Sequence, residues 1–234
     1  MSLAETQLTL RLSPQEIYRL DNFLFAKQET KHALQTFCQL EELDFLYLAG
    51  ESGTGKTHLL IACAESVQQM GKRVIYLSLS ELVKTAEPAA LQAIEQADLL
   101  CLDDVDAIAG LPEWEEAVFH CFNRLHDAKG HLLVSAQQTP ANSSIHLPDL
   151  RSRLATGLVY QLVMMTDEQK QQALILQAQS RGLMLTTDVA QYLLLPYGRD
   201  MPALMPVLQE LDKASLQAKR KLTIPFIRQV LANG

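Results

Sequence analysis

Apolar positions along the 234-residue chain fall into two regimes. Up to about residue 163 they form short, nearly continuous runs separated by stretches with helical spacing. Asp44-Phe45-Leu46-Tyr47-Leu48-Ala49, Arg73-Val74-Ile75-Tyr76-Leu77-Ser78, Leu99-Leu100-Cys101-Leu102-Asp103-Asp104, His131-Leu132-Leu133-Val134-Ser135 and Leu158-Val159-Tyr160-Gln161-Leu162-Val163 read as five strands. Helical stretches are predicted from Phe23 to Gln39, His58 to Met70, Ser80 to about Gln96, and Glu113 to Asp127. Strands that are apolar throughout and alternate with helices imply a parallel sheet covered on both faces. Beyond Met165 the strand pattern stops. Residues 167–181, 188–195, 202–219 and 225–232 all read as helices, with Asp167 and Asp188 as N-caps and Pro225 in a first turn. The predicted class is α/β: a three-layer base domain at 16–165 with a central parallel sheet, then a small all-α domain at 166–234. Residues 1–15 read as a flexible tail.

Composition narrows the function. Apolar residues make up 48% of the chain, enough for a sizeable core, and no low-complexity tract interrupts it. A net charge of -7 argues against nucleic acid as the primary ligand. Met1 to Leu12 has neither a basic leader nor a continuous apolar stretch, so no signal peptide is expected. Cys38, Cys63, Cys101 and Cys121 form no CxxC pair and read as reduced core thiols. The six histidines show no metal-ligand spacing.

The chemistry concentrates between the first strand and the helix after it. Gly50-Glu51-Ser52-Gly53-Thr54-Gly55-Lys56-Thr57 fits G-x-x-x-x-G-K-[ST] at every fixed position. Glycines in such a loop let backbone N–H groups turn inward around phosphate oxygens. The positive end of the following helix points at the same phosphates. Lys56 is expected to bridge the outer phosphates and Thr57 to donate its hydroxyl to Mg²⁺. Asp103 and Asp104 end the third apolar strand, where ligands of open α/β sheets collect. Asp103 is the candidate to hold Mg²⁺ through water, and Asp104 the candidate to orient an attacking water. Gln137, just past the fourth strand, is a candidate polar sensor between the two halves of the site; a surface glutamine is the competing reading. Arg153, in Arg151-Ser152-Arg153, is a candidate arginine finger on the rim of the base domain.

Together these residues resemble the AAA+ region of the bacterial replication initiator DnaA, over about 16–230. Tyr18-Arg19-Leu20-Asp21-Asn22-Phe23 is similar to that family's "TFDNF" segment, which lies against the base of the nucleotide and implicates Leu20, Asn22 and Phe23. Gly53-Thr54-Gly55-Lys56-Thr57-His58-Leu59-Leu60 matches its phosphate loop, and implicates His58 as well. Leu102-Asp103-Asp104-Val105 and Arg151-Ser152-Arg153-Leu154 match its acidic strand and finger segment. Neither a helix-turn-helix domain after it nor a helicase-recruiting domain before it is expected. Instead Gln7-Leu8-Thr9-Leu10-Arg11-Leu12 resembles the peptide by which bacterial proteins dock on the DNA polymerase sliding clamp, with Gln7, Leu8, Leu10 and Leu12 as anchors. An edge strand is the alternative reading of those six residues. With the truncated body, the chain is similar to the Hda family of DnaA-homologous regulatory inactivators.

The resemblance implies a mechanism. The loaded clamp recruits the protein through its tail, and Arg153 completes the ATPase site of DnaA in trans, ending its competence for initiation. The substrate is then the partner's nucleotide, and the protein's own nucleotide is a structural cofactor. DnaA-like lids present an arginine where this chain has Pro202, with Arg199 nearby as a substitute. A diphosphate, ADP foremost, is therefore expected with Mg²⁺, and slow intrinsic hydrolysis. DnaA and the clamp are the expected partners, with a nucleotide-dependent self-dimer or head-to-tail oligomer alongside, in the bacterial cytoplasm. A self-contained AAA+ ATPase, a helicase loader, and a clamp-binding adaptor with a purely structural nucleotide are the competing functions.

Overall fold

The computed structural model describes residues 18–92, 94, 96–195, 201–218 and 221–232, Pro202 by its backbone alone. Gln7, Leu8, Leu10, Leu12 and Arg199 lie outside the described residues. Five strands, β1 (Phe45–Ala49), β2 (Val74–Ser78), β3 (Leu99–Asp103), β4 (His131–Ala136) and β5 (Leu158–Gln161), form one parallel sheet in the order β2-β3-β4-β1-β5. Between them run α1 (Gln28–Phe37), α2 (Lys56–Gln69), α3 (Leu79–Thr85), α4 (Pro112–Asp127) and α5 (Pro148–Leu154).

The strands are apolar throughout because each of their faces has its own core. Phe45, Tyr47 and Ala49 of β1 join Leu100, Leu102, Leu132 and Val134 under α4 and α5, through Trp114, Val118, Phe122, Leu150 and Leu154. Leu46 and Leu48 point the other way and meet Cys101, Leu133 and the buried stripes of α1 and α2. This is the period-2 alternation of a strand read on two covered sides. All four cysteines are free and buried, as the sequence reading holds.

A separate core unites the C-terminal helices α6 (Asp167–Ser180), α7 (Thr187–Leu194), α8 (Met201–Ala218) and α9 (Ile224–Ala232), centred on Leu174, Leu193, Leu204, Leu208 and Ile227. These helices make the all-helical lid.

The differences from the sequence reading have local causes. The first helix begins at Gln28 rather than Phe23, because Phe23 is extended (φ -100°, ψ 130°) and stacks its ring edge-on to Phe25 at 4.8 Å. The helix expected to run to Gln96 stops at Thr85: Pro88 biases Glu87 toward extended backbone (φ -100°, ψ 159°), and a 3-10 turn at Pro88–Leu91 follows. β5 ends at Gln161, although the Leu162 N–H still donates to the Ala49 carbonyl at 2.7 Å. The cap of α6 is Thr166, not Asp167. Its hydroxyl accepts from the Gln169 N–H at 3.3 Å while the Gln169 side chain accepts from the Thr166 N–H at 2.9 Å, a reciprocal pair that an aspartate one residue later cannot form. Likewise Thr186 precedes α7, and Asp188 falls inside its first turn, where its charge still favours the helix end.

Candidate functional site

The phosphate loop leaves β1 at Gly50 and enters α2 at Lys56. Gly53 and Gly55 adopt φ of 83° and 91°, a region L side chains rarely occupy. Gly55 is closed to any side chain for a second reason: a Cβ there would stand 2.5 Å from the Phe23 ring. The loop is folded on itself. The buried Lys56 Nζ donates to the Gly50 carbonyl at 2.7 Å and the Glu51 carbonyl at 3.1 Å, and the Thr54 hydroxyl donates to the Glu51 carbonyl at 2.8 Å.

Sheet order brings the acidic strand to this loop. β4 lies between β1 and β3, so the end of β4 separates the loop from Asp103. Asp103 is only 2% exposed, and one carboxylate oxygen accepts from the Thr57 and Tyr76 hydroxyls, each at 2.7 Å. Its other oxygen accepts from the Ser135 hydroxyl. Thr57 and Asp103 are hard oxygen donors held together, the chemistry that Mg²⁺ takes. Asp104 leaves the strand in the left-handed region (φ 57°), its N–H donating to Ser135 Oγ at 3.0 Å and its carboxylate accepting from Ser80 Oγ at 3.0 Å. Burial, then the neighbouring Asp103, push the Asp104 carboxyl above its ordinary range.

A cavity of about 450 Å³ opens between loop and lid. Of the residues expected from the sequence, Asn22, Phe23, Ser52, Gly53, Gly55, Lys56, Thr57, His58 and Asp104 line it. Asp103 stands behind Thr57, and Gly50, Glu51 and Thr54 form the back of the loop. Leu20 packs against the core beneath α2 instead of the cavity. Gln137 is exposed, and its backbone N–H, not its side chain, is engaged, by Asp106. The polar side chain between the two halves of the site is Ser135, fully buried two residues earlier. A serine at the end of an otherwise apolar strand was the available signal. Pro202 lies in the first turn of α8, next to Met201 on the cavity wall. Arg153 lies elsewhere, exposed in the last turn of α5.

The lid supplies residues the sequence did not point to. Gln177 and Arg181 of the α6 end face the cavity, with Met165, Ala173, Met201 and Met205. The Gln177 amide donates to the Asn22 carbonyl at 2.8 Å and accepts from Arg181 at 2.9 Å, and Asn22 donates to Ser180 Oγ at 3.3 Å. Lid and leading segment are thus tied by two buried amides. His58 sits among Tyr18 and Phe23, with ring centroids 5.2 and 5.3 Å away. Burial, and secondarily Arg181, lower its pKa against the raising effect of the Arg19 carbonyl, so the ring that meets the cavity is kept neutral.

A glycine-bearing loop at the start of a helix, a lysine and a paired hydroxyl and carboxylate, under a helical lid, can hold a nucleoside phosphate. The family model described as the bacterial DnaA ATPase domain matches residues 15–161, and the model described as the Hda lid domain matches residues 167–231. The chain belongs to the Hda/DnaA-like AAA+ proteins. An uncharacterised protein of Haemophilus influenzae is 45% identical over 188 residues, covering 80% of this chain and 81% of its own length. Domain III of the Thermotoga maritima replication initiation protein DnaA superposes with a TM-score of 0.72 at 22% identity, covering 92% of this chain and 96% of that one. DnaA from Aquifex aeolicus with AMPPCP bound superposes with a TM-score of 0.63 at 24% identity, over 76% of this chain and 59% of that one. These likenesses show the shared AAA+ fold, and the family is a nucleotide-binding one. No helix among the described residues is long and apolar enough to cross a membrane, and no group of three or more His, Cys, Asp and Glu side chains among them is placed to hold a metal ion.

Proposed function

We propose that this protein restrains replication initiation by stimulating ATP hydrolysis on DnaA. Arg153 is the arginine finger supplied in trans, and the protein's own nucleotide serves as a structural cofactor. The observation that carries the reading is the position of Arg153. In a Hda/DnaA-like chain, this guanidinium is exposed, lines no part of its own nucleotide cavity, and has no ion-pair partner among the described residues. An exposed cation away from its own cavity is what a finger for a neighbour's site requires. The head-to-tail contact of AAA+ domains supplies that geometry, with DnaA or a second copy of this chain as neighbour.

The remaining parts of the proposal follow the chain. Residues 1–15 form the clamp-docking tail through Gln7, Leu8, Leu10 and Leu12; 16–165 form the base, and 166–234 the lid. Lys56, Thr57 and the backbone of Gly53 to Gly55 bind the phosphates. Thr57, and Asp103 through water, would hold Mg²⁺, which would shield phosphate charge. Pro202 brings no charge to the lid, so ADP is the preferred resident.

The test is ATP turnover by DnaA with this protein added, with and without clamp loaded on DNA. Wild type is expected to stimulate only with loaded clamp, and Arg153→Ala to lose roughly three powers of ten of that stimulation. Equal stimulation by the two proteins would sink the finger. Vigorous turnover without DnaA would favour a self-contained ATPase, for which Asp104 at the cavity wall speaks.

A further inference from the structure

Glu115 is a carboxylate only 2% exposed, in the first turn of α4, and no step described so far uses it. Its hydrogen bonds all come from backbone. One oxygen accepts from the Gly110 N–H at 2.8 Å and the His146 N–H at 3.1 Å. The other accepts from the His146 N–H at 3.0 Å and the Leu147 N–H at 2.6 Å. Two oxygens with four lone-pair directions meet three donors from two separate segments, which a neutral side chain of similar size cannot do. Burial pushes the carboxyl up, but the His146, Gly110 and Leu147 donors outweigh it and hold Glu115 below the ordinary carboxylate range.

The segment this carboxylate grips is the root of the finger helix. Leu147 is the N-cap of α5 and offers no capping side chain, and Pro148 at the first helical position has no N–H. The peptide N–H groups just before the helix therefore depend on Glu115. α5 has seven residues, about 10 Å in length, and Arg153 projects from its far turn. Leu150 and Leu154 hold one side of α5 to the core, both fully buried, while the carboxylate holds its front end against α4. At Gly110 the same group also holds the chain just past the short turn Val105–Ile108, whose N-cap is Asp104.

We infer that Glu115 is the positioning residue for the finger: by binding the backbone at His146 and Leu147 it sets the direction in which α5 presents Arg153. This rests on the trans-finger reading. The two apolar anchors keep α5 in place without Glu115, so its loss leaves a folded protein whose finger is less well aimed. A displacement of about 1 Å at a reacting group is worth on the order of 100-fold in rate.

The experiment titrates the full-length protein into DnaA, ATP and DNA-loaded clamp, comparing wild type, Glu115→Gln, Arg153→Ala and the double variant. Glu115→Gln is expected to lower maximal stimulation by about 10- to 100-fold, with the half-saturating concentration within about twofold of wild type. On the Arg153→Ala background it is expected to cost nothing further, because residues acting through one group are not additive. Additive losses, or a shift in half-saturation with an unchanged maximum, would show a general packing role and overturn the assignment. Arg153→Ala inactive beside a fully active Glu115→Gln overturns the positioning role alone; Arg153→Ala as active as wild type overturns the finger and the positioning role with it. Thermal unfolding followed by circular dichroism accompanies each variant. Should Glu115→Gln not fold, Leu147→Pro removes the Leu147 donor, together with a leucine side chain packed on the core, at a residue whose φ of -69° proline accepts. It is expected to reproduce the lowered maximum. A folded Leu147→Pro with wild-type stimulation, or failure of both variants to fold, overturns the proposal.

Discussion

The two ends of the nucleotide cavity are built on different principles. At the phosphate end nearly everything comes from contiguous sequence: Gly50 to Thr57 turn, cap and charge the site within eight residues, and Asp103 and Asp104 follow at the tip of one strand. At the lid end nothing is contiguous. Asn22 meets Gln177 and Ser180 across more than 150 residues, and Arg181 faces the same cavity as His58. The phosphate end is rigid because its strands are buried on both faces and its polar atoms satisfy each other. The lid end is a clasp of two amides between two separate cores. Local sequence builds the first, and contacts across the whole chain build the second.

Three substitutions set that division against measurement. Lys56→Ala is expected to have the largest effect, since it removes a buried cation from the phosphate end; charged hydrogen bonds are worth about 1.5–3 kcal/mol, so ADP affinity measured by calorimetry should fall about 10- to 100-fold. A smaller loss than that from any lid substitution would invert the comparison.

Gln177→Ala comes next. It deletes the bonds to Asn22 and Arg181 and leaves the Asn22 carbonyl without that donor. ADP affinity should fall by about fivefold, equivalent to roughly 1 kcal/mol. Amide exchange of the phosphate loop should stay as in wild type while exchange in α6 speeds up. Loop and α6 loosening together would mean that the two ends are one unit.

Tyr76→Phe is expected to be smallest. Its hydroxyl donates to Asp103 from the adjacent edge strand, and burial together with Asp103 raises its pKa, so the phenol remains a donor at neutral pH. Removing it should cost about 1 kcal/mol in urea unfolding and change ADP affinity by less than about twofold. A large loss of affinity would place Tyr76 inside the binding machinery rather than behind it.

How much of this was readable before folding differs residue by residue. The loop from Gly50 to Thr57 was legible because the chemistry of cradling phosphate demands glycine at fixed spacing, and a strand before and a helix after are visible as apolar patterns. Asp103 was legible as the polar end of an apolar strand. Of the two readings of Gln137 the structure has the surface glutamine, and Ser135, two positions earlier, stands in the gap between the two halves, because the strand runs one residue further than its pattern suggests. Gln177 could have been noticed as a polar residue on the buried face of α6, beside Ala173, Leu174 and Ala178. What it bonds could not. Glu115 looked like one more acidic residue in a helix's first turn, with nothing local to show that three backbone donors converge on it.

The sequence by itself determined the alternation of strand and helix, the phosphate loop and the change to an all-helical lid, because each is written in short-range periodicity or fixed spacing. Tertiary structure alone decided that β4 stands between β1 and β3, and so that a serine joins the two acidic residues. It alone decided that the lid clasps the leading segment through Asn22 and Gln177, and that Glu115 holds the backbone at the root of α5. Those contacts join backbone and side chains tens of residues apart, and no local preference encodes a partner that only the packed chain brings within 3 Å.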